Sequence, residues 1–89
     1  MKKFIVEREI DGIGEMTECE LQGAAGAANE ASTQVGTIQW IHSYIANDRT
    51  FCIYLAPSID EIKRHAQLAG LPANRIVEIT NMADPTTAA

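Results

Sequence analysis

Imidazole, thiol and carboxylate side chains are the groups in this sequence that could bind a transition metal. The candidate metal ligands are His42, Cys52, His65 and Glu7. Such donors favour late first-row divalent ions, with nickel, copper and zinc as the leading cases. An alternative stays open, in which Cys52 packs as a small hydrophobic residue and His42 makes surface hydrogen bonds. Cys19 lies between two glutamates whose charges oppose a thiolate, so we expect it to be an ordinary thiol.

His65 and Glu7 also have the chemistry of acid–base groups. A histidine titrates near neutral pH and could act as a general base, although a hydrogen-bonded histidine at the boundary between helix and sheet explains His65 equally well. The sequence contains no nucleophile elbow, phosphate-binding loop or HExxH motif. No catalytic residue is therefore assigned, and an enzyme is the less favoured class of protein.

Residues 39 to 55 are predicted to form a hairpin whose two faces differ in chemistry. Side chains alternate between the faces of a strand, so the number of residues in the turn around Asn47-Asp48 decides which faces join. An odd-length loop collects an apolar face of Ile41, Ile45, Phe51, Ile53 and Leu55. The opposite face then carries Trp40, His42, Tyr44, Cys52 and Tyr54. An even-length loop would mix the two sets, so we predict the odd register, with the apolar set beneath helices.

The remaining elements follow from capping and turn signals. Thr17 to Glu20 and Ser58 to Glu61 have the spacing of capping boxes that begin helices, and Gly36 and Gly70 are suited to ending them. Alternating strand patterns occupy residues 3–10 and 75–81. Two glycines inside the first helix, Gly23 and Gly26, suggest close approach to a neighbouring element.

The element order β-α-β-β-α-β predicts an α+β, ferredoxin-like sandwich, with a four-stranded antiparallel sheet and both helices on one face. Residues 1–83 are expected to form this domain and residues 84–89 a C-terminal tail. Carboxylates of the strands should join the aromatic set on the open face; they are Glu7, Glu9 and Glu78. Because an open aromatic face is rarely left bare, we expect a homodimer through it that encloses a small chamber.

Composition excludes several classes of partner. The 89 residues are 46% hydrophobic, which suits one domain, and the net charge is -5. A chain with this acidic balance lacks the basic surface that phosphate neutralisation needs, so nucleic acid is not expected as a partner. No apolar run reaches the length of a membrane span, and the N-terminus does not resemble a signal peptide. We expect a cytoplasmic protein.

Several stretches resemble a known family when taken together. They are Phe4 to Arg8, Ile38 to Tyr44 with its W-x-x-S-Y pattern, Cys52 to Pro57 with C-x-Y-x-A-P, and His65 to Ile76 with H-A-x-x-x-G-x-P-A. The chain is similar to a small bacterial family of ferredoxin-like domains that includes a nickel-binding, nickel-responsive protein. The resemblance implies a homodimer with metal at or near the sheet face. Cys52, Tyr54 and His65 lie within the shared patterns, whereas His42 occupies a variable position.

Two functional hypotheses result. The first is a homodimeric transition-metal-binding protein, with nickel as the expected ion, for storage, buffering or sensing. The alternative is a dimeric α+β barrel enzyme or binding protein for a small aromatic or polyketide-like molecule, in which His65 or Glu7 supplies acid–base chemistry. The ligand chamber would be lined by Trp40, Tyr44, Tyr54, Glu9 and Glu78. A third possibility is that the open face serves only to dimerise.

Overall fold

Four antiparallel strands form one sheet in the computed structural model, which describes residues 1–88. They are β1 (Lys2–Glu9), β2 (Gln39–Ile45), β3 (Arg49–Ala56) and β4 (Arg75–Ile79), and their order in the sheet is β2-β3-β1-β4. Helices α1 (Glu18–Val35) and α2 (Ile59–Ala69) complete the predicted ferredoxin-like arrangement, so the fold class is confirmed. Short 3-10 turns lie at Ile13–Glu15 and Pro85–Ala88. Ala89, the end of the expected tail, lies outside the described residues.

The helix boundaries show how local chemistry sets the layout. The Thr17 hydroxyl accepts the Glu20 backbone N–H, and the Glu20 carboxylate accepts the Thr17 N–H, which is the reciprocal capping box. Gly36 and Gly70 end the two helices with φ values of 79° and 68°, a left-handed conformation that glycine adopts without steric cost. At the start of α2 the predicted capping box is incomplete, because the Ser58 hydroxyl donates to the Glu61 carboxylate at 2.5 Å. Within residues 1–88, no helix has the length and apolar character required to cross a membrane.

The core lies between the sheet and the two helices. Phe4, Val6, Tyr54 and Ile62 are at most 1% exposed and pack together, with Ile38, Cys52 and Ala56 beside them. Alternate residues of β3 are buried, starting with Thr50 and ending with Ala56. One face of each central strand therefore packs against the helices, and no element of residues 1–88 covers the other face.

The register of the hairpin differs from the odd-loop prediction, which is wrong. Ile45 pairs with Thr50, and the Ala46 N–H donates to the Arg49 carbonyl at 2.9 Å, so a two-residue loop of Asn47 and Asp48 connects the strands. Cys52 and Tyr54 are buried on the helix side, and Phe51, Ile53 and Leu55 lie on the open side, where the even loop places Tyr44 and His42 beside them.

A β-bulge in β2 also changes which of its side chains lie on each face of the sheet. The pairing shifts between Trp40, opposite Tyr54, and His42, opposite Ile53, so Ile41 is the extra residue of the bulge. The bulge places Trp40 on the helix side and His42 on the open side, although both positions are even-numbered. The period of two along β2 is therefore interrupted at the residues on which the face assignment depended.

The glycines of α1 do not mark a close approach, contrary to the prediction. A Cβ atom added to Gly23 or Gly26 would meet nothing within 4 Å in the described part of the chain. The tight position is Gly14, where a Cβ would lie 2.6 Å from the Ala46 carbonyl oxygen and 2.8 Å from the Asn47 Cα. The Gly14 N–H also donates to the Asn47 carbonyl at 3.1 Å, so the turn before α1 docks on the β2–β3 loop.

Candidate functional site

The sheet surface opposite the helices, here called the open sheet face, has an apolar centre that is flanked by polar and charged side chains. Its apolar residues are Ile5, Phe51, Ile53, Leu55, Val77 and Ile79. All are partly or fully exposed, and Val77 is 39% exposed. Exposed apolar side chains on one face of a sheet make that face a candidate surface for association.

His42 and Tyr44 lie at the β2 edge of the open sheet face. The His42 Nε2 atom is 3.1 Å from the Tyr44 hydroxyl oxygen, and the two rings meet edge to face with centroids 5.0 Å apart. Both side chains are exposed. His42 is thus the histidine of this chain whose ring is accessible to an external ligand, because His65 is fully buried.

Glu7 and Glu9 also lie on the open sheet face, as predicted, but both contact a cation. An Arg49 Nη atom is 3.4 Å from a Glu7 carboxylate oxygen, and the other is 3.8 Å from a Glu9 oxygen. Arg49 is itself partly exposed, so these ion pairs stabilise the fold only modestly. Glu7 is opposite Phe51 in the pairing and His42 is opposite Ile53, so β3 separates the two candidate ligands.

Cys52 and His65 lie on the helix side of the sheet. Cys52 is 5% exposed, and its Sγ lies 3.6 Å from the Thr50 hydroxyl oxygen. The His65 Nε2 donates to the Ala28 carbonyl at 3.0 Å, which links α2 to α1, while its Nδ1 has no hydrogen-bond partner in residues 1–88. Burial lowers the pKa of His65. The hydrogen bond to Ala28 raises this pKa and the nearby Arg8 charge lowers it, so the pKa lies below its usual value.

The four predicted ligands are therefore divided between two faces of one sheet. His42 and Glu7 are on the open side, and Cys52 and His65 are on the helix side, so the predicted placement of His42 and Cys52 on one face is wrong. In the portion of the chain that the structure describes, no three His, Cys, Asp or Glu side chains are grouped so that they could hold a metal ion. The assignment of these residues as metal ligands stays a prediction.

The residues expected to line a chamber on the open face are divided in the same way. Tyr44 and Glu9 lie on that face, whereas Trp40 and Tyr54 lie on the helix side. Glu78 is opposite Phe4, which places it on the helix side at the sheet edge, 3.9 Å from the Lys2 ammonium. The aromatic chamber predicted between two sheets thus loses most of its lining.

A pocket of about 230 Å³ lies on the helix side, between α1 and the sheet. Its lining is mainly apolar and includes Trp40, Cys52 and Tyr54, with Ala24 and Ala25 of α1 forming part of the opposite wall. The space exists because α1 packs chiefly on α2 and presents alanines, whose side chains are short, to this part of the sheet.

Arg8, which was not among the functional residues predicted from the sequence, also lines this pocket. It is 1% exposed; its Nη1 donates to the Pro72 carbonyl at 2.7 Å, and its Nη2 donates to the Tyr54 hydroxyl at 3.1 Å. A sequence signal was present, because Arg8 continues the alternation of Phe4 and Val6 and must share their buried face. A cation in an inward position of a strand is unusual enough to indicate a special role.

The side chain that Arg8 contacts remains a neutral phenol. Burial raises the pKa of Tyr54, and the Arg8 charge opposes this effect only in part. Tyr54 therefore accepts a hydrogen bond from Arg8 without neutralising its charge.

The fold and strand order define a ferredoxin-like α+β domain, and comparison with known proteins identifies its family. The model of the family described as nickel responsive protein SCO4226-like matches residues 4–79, so the chain belongs to this family. Among solved structures, the crystal structure of SCO4226 from Streptomyces coelicolor A3(2) is similar with a TM-score of 0.76 and 20% sequence identity. The match covers 91% of this chain and 99% of that one. No curated protein sequence gives a significant match.

Proposed function

We propose that this protein binds nickel as a homodimer and serves in nickel storage, buffering or sensing in the cytoplasm. The observation that carries the proposal is its membership of a family of nickel-responsive proteins, with a match that spans residues 4–79. The chemistry of its accessible donors agrees with this ion, since imidazole nitrogen is a ligand that suits nickel.

The open sheet face supports the homodimer. The helices cover one side of the sheet, while the apolar residues centred on Ile5 and Ile53 have no covering layer in residues 1–88. Stacking two such sheets would bury apolar surface from both copies in one closed, two-fold assembly.

His42 is the metal ligand we favour. It lies at the edge of the open sheet face with its ring exposed, close to where a second copy would pack. The donors of one copy do not fit a complete site, because Glu7 lies two strands away from His42. We therefore assign the site to donors from two copies, and Cys52 and His65 on the helix side are the competing ligands.

Nickel binding by untagged protein tests this proposal. Equilibrium dialysis against nickel followed by elemental analysis should show a fixed number of ions per dimer for the wild type. We expect His42→Ala to lose this nickel, and Tyr44→Phe, which keeps the imidazole, to retain it. Wild-type protein that holds no nickel contradicts the proposal, and so does equal retention by His42→Ala. Loss with Cys52→Ser alone would move the site to the helix side.

A further inference from the structure

We propose that the pocket between α1 and the sheet binds a small monocarboxylate with an apolar body, whose carboxylate pairs with Arg8. This second site is independent of the proposed nickel site, because it lies on the other side of the sheet from His42. The inference rests on the charge of Arg8, the neutrality of its surroundings, and the size and lining of the space beside it.

Arg8 is a buried cation that has no counter-ion within residues 1–88. The ion pairs in residues 1–88 are formed by Lys2 and Arg49, and none includes Arg8. Its two hydrogen-bond acceptors are an uncharged carbonyl and an uncharged phenol, and its Nε has no partner in the same part of the chain. A buried charge is unfavourable unless it is paired, so this arrangement favours the arrival of an anion.

The groups around the guanidinium are arranged to bind such an anion. The Tyr54 oxygen accepts from Arg8, so its own O–H remains able to donate to a ligand. The raised pKa of Tyr54 keeps that proton in place near neutral pH. Ser43 and Thr50 add hydroxyls to the lining, and Ser43 is held by the Trp40 indole N–H at 2.9 Å.

The rest of the pocket suits an apolar body. Its other walls include Ile13, Leu21, Ala25, Ile45 and Leu71. The volume of about 230 Å³ exceeds the roughly 150 Å³ of an apolar cavity that takes up benzene. An aromatic monocarboxylate or a short fatty acid therefore matches the space. A phosphate is less suitable, because it would bring a second charge into an apolar cavity, whereas the two oxygens of a carboxylate match the fork of a guanidinium.

The pocket has a route to solvent. Ile45 is 45% exposed and Ala24 is also exposed, and both belong to the lining. A ligand could therefore enter between the end of β2 and the first half of α1, with its carboxylate leading toward the deeper Arg8.

Titrations with benzoate, hexanoate and benzamide test the proposal. Chemical-shift changes in ¹⁵N-labelled protein should map to the pocket for benzoate or hexanoate, while benzamide, which has the shape of benzoate without its charge, should bind at least about tenfold more weakly. Failure of both acids to bind at millimolar concentration overturns the proposal, as does equal binding of benzamide.

Two variants separate the charge from the space. Arg8→Met removes the charge at similar length and should abolish the preference for benzoate over benzamide. Ala25→Leu fills the pocket and leaves Arg8 in place, so it should weaken every ligand and provides the test if Arg8→Met does not fold. Unchanged benzoate affinity in Ala25→Leu, with the fold retained, would place the ligand elsewhere and overturn the proposal.

Discussion

The hydrogen bond from Arg8 to Tyr54 joins two buried side chains on the helix side of the sheet. Tyr54→Phe removes the acceptor and leaves a buried guanidinium with one partner fewer. Because hydrogen bonds to charged groups contribute about 1.5–3 kcal/mol, we expect a loss of that size in the free energy of unfolding measured with urea. Tyr44→Phe is the matched control: Tyr44 is 61% exposed, and its loss should stay within about 0.5 kcal/mol. Equal effects of the two variants would contradict this role for Tyr54.

His65 should make stability depend on pH. Burial lowers its pKa in the folded protein below the value of about 6.5 expected in the unfolded chain. His65 therefore binds a proton more readily in the unfolded chain than in the folded protein. Its contribution to the free energy of unfolding is complete above about pH 7 and is lost as the pH falls below about 6.5.

Urea unfolding of wild type and His65→Gln at pH 7.5 and 5.5 measures this dependence. Glutamine keeps a donor that can reach the Ala28 carbonyl but does not titrate in this range, so the variant should lose less stability on acidification than the wild type. His42→Ala, which removes a histidine from the other side of the sheet, should leave the His65-dependent loss in place. If the wild type and the His65→Gln variant lost the same stability on acidification, the pH dependence could not be assigned to His65.

At the scale of elements, α1 contains two glycines whose replacement by alanine should stabilise the protein. Gly23 and Gly26 are interior helix positions with open space where a Cβ would lie. Gly23→Ala should therefore raise the free energy of unfolding by about 0.5–1 kcal/mol, since alanine loses less backbone entropy in a helix. Thermal and urea unfolding both report this change.

Gly14→Ala is the control for that substitution. There a Cβ would come within 2.8 Å of backbone atoms of the β2–β3 loop, which cannot move aside as a flexible side chain can. The same chemical change should therefore destabilise the protein. A destabilising Gly23→Ala would indicate that α1 contacts something at this face.

The elements themselves could be predicted from sequence, because their signals are local. The Thr17 and Glu20 pair and the glycines at 36 and 70 define helix ends within a few residues of chain. The faces of the hairpin could not be assigned in this way. A two-residue loop and a single extra residue, Ile41, each change which β2 and β3 side chains share a face, and neither leaves a distinct composition in the sequence. The predicted face of Cys52 and Tyr54 was wrong for the same reason, since it depends on that register.

At the scale of the whole molecule, the open sheet face should control assembly. Ile53→Glu places a charge in the middle of its apolar surface and should convert a dimer to a monomer in sedimentation velocity, with little effect on folding because the position is only partly buried. Leu68→Glu introduces the same charge at a site on α2 that is 45% exposed, and it should leave the dimer intact. A wild-type monomer, or a dimer broken by Leu68→Glu alone, would contradict pairing through this face.

We expect nickel to bind between copies, on the side of the sheet away from the helices. This expectation follows from the family assignment, the open sheet face and the exposed His42. A crystal structure of the untagged protein with nickel, with diffraction data collected at the nickel absorption edge, tests it directly. We predict an anomalous peak between two stacked sheets, beside His42. A peak on the helix side near Cys52 or His65, or a nickel-free dimer, would contradict it.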